Sequence, residues 1–496
     1  MQLIPYLLAV PLAAAFLILV VEKRIKQSSN VLVLVASFSV TVLSYIIAAA
    51  VVTNKILVCK VGNWMPPVGI SLVVDSLSAF ILATVNTVAF LVAVYSVDYM
   101  KRYTDTWKFY ALFLLMLVGI NGVLIAGDIF NLYVFLEIAA IAAYFLVAFG
   151  IESESLEAAF KYAVMGSVAS IFILLGIAFL YSYTSTLNMA DMANILAAKG
   201  PSKIIQFVSV LFLMGFGLKA ALVPFHGWLP DAHPSAPAPI SAMLSGVLIK
   251  VLGVYALSRI FFNVLGVNNT ILSLLMFLGV LSMLVGVFLA FGQWDFKRLL
   301  AYHSISQIGY VVLGIGLASP LGVFGGLFHL FNHAAFKSLL FLGSGAVNSS
   351  TGTRDLRQMG GLKERMPVTA ATSLIASLSI AGIPPFNGFF SKLIIILACI
   401  QANHIGYAFC AVIGSILTLV SFAKVQRYAF FGSLKEKWQK TKEVSFFMQA
   451  PMIVLAVICV IGGLLALPAL AVFLTSASNV LTSGRDYAGL VLGALK

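Results

Sequence analysis

Side chains able to take up and release protons stand inside long apolar runs of this chain. Lys219 follows an uncharged run at 207–218, Lys250 lies inside 240–257, Lys392 comes just after Ile383-Pro384-Pro385-Phe386, and Glu137 lies inside 130–149. A charge at bilayer depth costs a few kcal/mol or more, so an ionisable residue there marks a functional site by default. The lysines could instead snorkel to water, but that works only near helix ends. Lys219 lies about sixteen residues into its segment and Lys250 about thirteen into its own. An isolated buried carboxylate neutralises unless it is paired, and Lys219 is the natural partner for Glu137. By contrast, Lys424 sits at a segment end as an anchor, and Asp75 reads as a helix N-terminal group.

A second constellation is His329-Leu-Phe-Asn-His333-Ala-Ala-Phe-Lys337. Spacings of four and eight put the three ionisable groups on one helix face. Histidine titrates near neutral pH, so two imidazoles ending at a lysine suit a proton relay. Two histidines at that spacing also suit a metal, but no third ligand is visible and Lys337 would repel a cation, so no metal site is expected. His303, Ser304, Ser306 and Gln307 can extend the relay with polar groups. His226 and His233 flank a proline-broken stretch containing Pro224, and His404 is peripheral.

The elements that must position these groups are membrane helices. Apolar residues make up 61% of the 496 and charged ones 9%, with a mean hydropathy of +1.06. A soluble domain carries about a quarter charged residues, so the fold class is an all-α polytopic membrane protein. Runs of roughly 17–25 apolar residues give about fourteen spans: 3–21, 31–52, 71–96, 108–127, 129–149, 158–181, 203–232, 237–260, 271–292, 299–317, 321–346, 367–401, 405–427 and 449–473. The first is long enough to stay as a helix, and no small-residue cleavage site follows it. Spans 7 and 12 are too long to be straight. They contain Pro224 and Pro230, and Pro384-Pro385, and each reads as one discontinuous helix. Cys59, Cys399, Cys410 and Cys459 form no paired spacing, which leaves no disulfide framework, zinc site or iron–sulfur cluster.

Loops facing the cytoplasm are rich in lysine and arginine. Loops after odd-numbered spans hold eighteen, among them Lys23, Lys161 and Lys297; the other side holds seven, among them Arg259 and Lys496. Both termini are therefore expected outside a multi-pass inner cell membrane. The net charge of +13 is mostly this asymmetry, and it implies no nucleic-acid partner. Spans 4–8 end in a broken span followed by a whole one, and spans 9–13 repeat that order. Five spans per unit is odd, so the units enter the membrane from opposite faces as inverted repeats. The expected segments are 1–106 (spans 1–3), 107–262 (first unit), 263–430 (second unit) and 431–496 (basic loop, span 14 and tail).

Three motifs together resemble one family. Gly127-Asp-Ile-Phe-Asn-Leu-Tyr-Val-Phe-Leu-Glu137, Gly217-Leu-Lys-Ala-Ala-Leu-Val-Pro-Phe-His-Gly-Trp-Leu-Pro-Asp-Ala-His233 and Lys297-Arg-Leu-Leu-Ala-Tyr-His-Ser-Ile-Ser-Gln307 look like the antiporter-type subunits of the complex I superfamily. That group spans the D-type subunit of Mrp sodium/proton antiporters, proton-pumping subunits of NADH:quinone oxidoreductase, and counterparts in membrane-bound hydrogenases. The likeness runs from about residue 70 to 440. It implies a Glu137–Lys219 ion pair, and relay roles for Lys250, His329, His333, Lys337 and Lys392. Lys392 in place of a glutamate resembles the Mrp D-type, hydrogenase-linked and distal complex I forms.

The function implied is proton translocation, with Na⁺ as a second candidate ion, by one membrane subunit working among others. A proton from the cytoplasm would reach Lys250 near the break between spans 7 and 8, pass along His329, His333 and Lys337 to Lys392, and leave outward. A substrate transporter of inverted-repeat architecture is the alternative, but its cavity would show aromatic or hydroxyl groups shaped to a solute. A redox enzyme in its own right lacks a cofactor motif. Gly343-Ser-Gly345 has neither the third glycine nor the preceding strand of a dinucleotide site. Any redox chemistry would belong to partner subunits.

Overall fold

The computed structural model describes residues 3–22 and 24–495; Lys23 and Lys496 of the loop asymmetry, and the first two residues of segment 1–106, lie outside them. Two apolar helices open the chain, α1 (Tyr6–Val21) and α2 (Ser28–Asn54). A short antiparallel ribbon follows, β1 (Ile56–Lys60) and β2 (Ser71–Asp75), in the register Ile56 to Asp75. The expected span 71–96 is thereby corrected. Its first five residues, Ser-Leu-Val-Val-Asp, find a strand partner and pair with it, and helix α3 (Ser76–Tyr99) begins only after Asp75.

The first five-span stretch comprises α4 (Thr106–Ile125), α5 (Ile129–Val147), α6 (Ser153–Thr184), a short α7 (Met189–Lys199) with no counterpart among the expected spans, α8 (Lys203–Lys219), α9 (Leu229–Ser235) and α10 (Ala238–Leu265). The second comprises α11 (Asn269–Phe291), α12 (Phe296–Gly316), α13 (Pro320–Thr351), α14 (Pro367–Ala381), α15 (Asn387–Gln401) and α16 (Ile405–Val425). Then come α17 (Phe446–Ile461) and, in the tail, α18 (Val472–Thr482) and α19 (Asp486–Leu495). Short polar side chains set many starts. Asp75, Asp128, Asn188, Ser202, Asn268, Asp295 and Ser319 each accept a backbone N–H of the helix they precede, which satisfies donors with no intrahelical partner.

Among the described residues, ten helical stretches are long and apolar enough to cross a membrane alone. The others expected to cross are α1, the two broken segments, and α13, whose two histidines, asparagine and lysine make it less apolar. Helix α10 is buried along its whole length, whereas α2, α6 and α16 turn apolar side chains outward.

Both expected breaks are present. Helix α8 stops at Lys219, and the chain is non-helical until α9 begins at Leu229. Pro224 has no N–H to give and cannot continue a helix; the Leu218 carbonyl accepts both the Ala221 N–H and the Trp228 indole N–H at 3.1 Å. Between α14 and α15 the chain opens over 382–386, with Gly382 at φ +80°, a left-handed conformation that glycine adopts at little cost.

Close helix approach depends on missing side chains. A Cβ on Gly309 of α12 would stand 2.4 Å from the Gly279 carbonyl oxygen of α11. On Gly253 of α10 it would stand 2.4 Å from Cα of Ala220, the first residue of the first break. Gly253 therefore seats the buried α10 on the opened backbone beside Lys219. Overpacking a filled interior costs about 1–3 kcal/mol or more. Gly253→Val should lower the melting temperature of the purified protein by several degrees. Gly343→Ala, at a helical glycine with open space around it, should leave the melting temperature unchanged or slightly raised; equal melting of the two variants would contradict this packing.

Candidate functional site

The ionisable groups form a row through the helix interior. At one end Glu137 of α5 accepts the Lys219 ammonium at 3.3 Å and the Ser170 hydroxyl of α6. Lys219 is the last residue of α8 and is buried, so its charge sits where the helix dipole favours a cation. Glu137 is a quarter exposed, on a helix whose Ile141 and Phe145 face outward. This end of the row thus reaches the lateral surface.

Lys250 is buried within π-helical turns over Leu244–Tyr255, a local unwinding often found at functional sites. Its ammonium rests on the carbonyl of Ser245, five residues back. The Ser245 hydroxyl meets that of Ser304 on α12 at 2.7 Å. Ser304 in turn donates to the Leu300 carbonyl at 3.1 Å, and Lys337 of α13 donates to that same oxygen at 2.5 Å. Lys250 and Lys337 are therefore linked by two serines and two carbonyl oxygens, those of Ser245 and Leu300.

At the far end, His329 meets Ser391 at 2.9 Å through Nδ1 and Gln307 at 3.2 Å through Nε2. The adjacent Lys392 reaches back across the second break to donate to the Ile380 carbonyl at 2.7 Å and to Ser415 at 3.3 Å, with its ammonium 4.8 Å from the Tyr310 ring centre. Lys392 thus occupies the C-terminal end of a half-helix, α14, as Lys219 does in α8. It also lines a lateral pocket of about 230 Å³ between α15 and α16.

The order along α13 runs opposite to the expected one: Lys337 stands at the Lys250 end and His329 at the Lys392 end, with His333 one turn from each. Ser304, rather than Ser306, joins the row, because Ser306 donates instead to the Met283 carbonyl of α11. Gln307 is in contact as expected. His333 and His303 are buried with both ring nitrogens lacking a protein partner, as is His226 Nδ1. Buried polar groups without a protein partner commonly hold ordered water. Pro224, Pro384 and Pro385 lie in the breaks themselves. Among the described residues no three His, Cys, Asp or Glu side chains converge as metal ligands.

Three ionisable groups have a place the sequence pattern does not give them. Lys297, assigned to a loop, is buried and donates to the Ala236 carbonyl at 2.6 Å; its neighbour Arg298 makes it look like part of a basic loop. His233 stacks on Phe341 at 4.7 Å, and the Lys337 ammonium lies 5.5 Å from the same ring. Arg259, also assigned to a loop, is buried because α10 runs to Leu265, and it pairs with Asp75 through both carboxylate oxygens at 2.7 and 2.8 Å. Asp75 also caps α3 by accepting from Ser78 N–H, as expected. The only sequence signal is a second ionisable group near the end of an apolar run.

Above Lys297 and His233 lies a cavity of about 310 Å³ lined by Glu154, Glu157, Lys161, Asp231, Asp295, Arg298 and Arg354. Asp231 bridges Lys161 at 3.0 Å and Arg298 at 3.3 Å, while Arg354 meets Asp295 at 3.2 Å and donates to the Pro234 carbonyl. Nearby in the loop, hydrogen bonding from Arg357 holds the Asp355 carboxyl below its ordinary value. The cavity is a charged mouth on the face that carries the basic loops.

This arrangement has counterparts. A family model described as NADH:quinone oxidoreductase/Mrp antiporter, TM matches residues 126–418, and one described as NADH-Ubiquinone oxidoreductase (complex I), chain 5 N-terminus matches residues 64–110. The D-type Na(+)/H(+) antiporter subunit of Alkalihalophilus pseudofirmus is 36% identical over 443 residues, covering 88% of this chain and 89% of that one. A chain in the structure of the Mrp complex from Dietzia sp. DQ12-45-1b superposes with a TM-score of 0.92 at 28% identity, covering 99% of this chain and all of that one. A chain of the membrane-bound sulfane sulfur reductase, an archaeal respiratory membrane complex, does so with a TM-score of 0.92 at 30% identity over 99% of this chain and all of that one.

Removing one member of a buried ion pair strands the other charge, at about 3–5 kcal/mol, while apolar replacement of both is often close to neutral. Asp75→Asn should therefore markedly lower the melting temperature. The double variant Asp75→Leu/Arg259→Met should recover most of the loss. A single variant that melts like the parent would mean that the pair is hydrated rather than buried.

Proposed function

We propose, from the premise that this chain belongs to the NADH:quinone oxidoreductase/Mrp antiporter family and is an ion-translocating membrane subunit of a multisubunit complex, that protons cross it along the buried row. The supporting observation is the set of contacts that brings Lys250 and Lys337 together around Ser245, Ser304 and the Leu300 carbonyl, with His329 beside Lys392 at the far end. In this reading the basic loops face the cytoplasm of an inner cell membrane and both termini face outside. Residues 107–262 and 263–430 act as two inverted units, each with one broken helix.

A proton then enters at the charged mouth around Asp231 and passes Lys297 and His233 to Lys337. Lys337 shares it with Lys250 through water, since the Leu300 and Ser245 carbonyls between them only accept hydrogen bonds, or hands it on through His333 and His329 to Lys392 and the outside. Water bridges the gaps at the unpartnered imidazoles. The Glu137–Lys219 pair is the switch. While the ions touch, the lysine charge is matched; when they part, an uncompensated charge beside the opened helix changes the proton affinity of the next lysine. Na⁺ would be the counter-ion in an antiport cycle, exchanged in concert with neighbouring subunits. In this reading the gradient or redox reaction that drives the cycle belongs to those neighbours.

Two outcomes test this. Glu137→Ala and Lys219→Ala should each abolish ion translocation in membrane vesicles, read as the collapse of a dye-reported pH gradient, while the complex still assembles. Near-normal transport by both would sink the relay. The chain expressed alone should insert in the membrane yet sustain no transport against a gradient. Co-expression with its neighbouring subunits should restore transport that Lys392→Ala then removes; robust uphill antiport by the isolated polypeptide would place the energy coupling inside this chain.

A further inference from the structure

On the face opposite the charged mouth, a cleft runs down the side of the bundle with α2 as one wall, α17 and α18 as the other, and α3 as its floor. Its upper compartment is about 700 Å³ and contains Lys55, Ser476, Asn479 and Ser483 among its lining. Its lower compartment is about 310 Å³ and is walled by apolar side chains such as Val88, Phe331, Leu455 and Ile458. Phe473 borders both compartments, so they adjoin. The lower end is closed where the Tyr45 hydroxyl of α2 meets Thr87 of α3 at 3.0 Å.

The length and polarity of the cleft select its occupant. From Lys55 down to Tyr45 is ten residues, or about 15 Å of helix. That matches one leaflet of a hydrocarbon core about 30 Å thick. Polar groups crowd the water end and apolar ones the membrane-centre end, which is the polarity profile of one lipid molecule. Lys55 has no carboxylate within ion-pairing distance among the described residues, and Asp75 at the floor is already neutralised by Arg259. The net charge offered at the mouth is therefore positive. The apolar walls of the lower compartment suit a flexible acyl chain.

We infer that this cleft binds one glycerophospholipid of the leaflet away from the basic loops, with its phosphate on Lys55 and one acyl chain between Phe473 and the Tyr45–Thr87 bond. The bound lipid covers the outer side of the Asp75–Arg259 pair. It also braces α18, whose Val480 carbonyl, with that of Gly484, accepts Asn263 from the end of α10 at 2.7 Å.

The test is native mass spectrometry of the intact multisubunit complex, after reconstitution in phosphatidylglycerol vesicles and extraction in mild detergent. Ala83→Trp fills the lower compartment, and Lys55→Glu reverses the charge of an exposed side chain that has no ion-pair partner among the described residues. The Trp variant should carry one retained phospholipid fewer than the parent, and the Glu variant should hold that lipid at several-fold lower occupancy. Unchanged lipid stoichiometry in both variants overturns the proposal. So does a photoreactive benzoylphenylalanine at Val88 that cross-links to a neighbouring subunit instead of to lipid. Because the readout is bound mass, it stands or falls separately from the transport assays above.

Discussion

Holding an ammonium group inside a bilayer is the constraint that organises this molecule. Water cannot reach the midplane in bulk, and a bare charge there is costly, so each lysine must bring its own solvent. The protein provides it from the backbone. Helices that stop in mid-membrane leave carbonyls without intrahelical partners, and these oxygens do what water would otherwise do. Lys392 lies on the freed Ile380 carbonyl, Lys250 on a carbonyl of its own π-helical turn, and Lys337 on Leu300 of the facing helix. Lys219 alone has a carboxylate instead.

The broken helices, the π-helical α10 and the glycine seams therefore serve one purpose. Breaks and π-helical turns open the Ile380 and Ser245 carbonyls to an ammonium, while Leu300, inside the intact α12, accepts Lys337 on its second lone pair. Unwinding in turn exposes peptide groups that must be sheltered, and the wholly buried α10 packs on the first opening at Ala220 because Gly253 carries no side chain. The Trp228 indole covers the other side, stacked on Tyr162 at 4.2 Å. Rigid packing around a loosened backbone keeps the lysines in place while leaving them a choice of oxygen.

Much of this is legible in the sequence because charge and proline are conspicuous against apolar runs. Glu137, Lys219, Lys250, Lys337 and Lys392 stand out for their cost alone, and Pro224 and Pro384-Pro385 mark the openings. Groups whose surroundings look ordinary stay hidden. Lys297 precedes Arg298 as a loop lysine would, and Arg259 falls near the end of a run that could have stopped two residues earlier. The ribbon at 71–75 reads as membrane helix because a buried strand and a buried helix share the same apolar composition. The direction of α13 relative to its neighbours escapes because spacing fixes which residues share a face but not which neighbour each end meets.

The contact between Ser245 and Ser304 has one more implication. Each hydroxyl both donates and accepts, and at 2.7 Å either can be the donor. Turning two O–H bonds reverses the polarity of the joint with no movement of heavy atoms. A joint of this kind has no built-in direction, and it leaves the sense of any proton flow past it to the charges at its two ends. On the proposed relay, one polypeptide of this design would serve equally in a machine that spends a proton gradient or in one that builds it, with the neighbours deciding which.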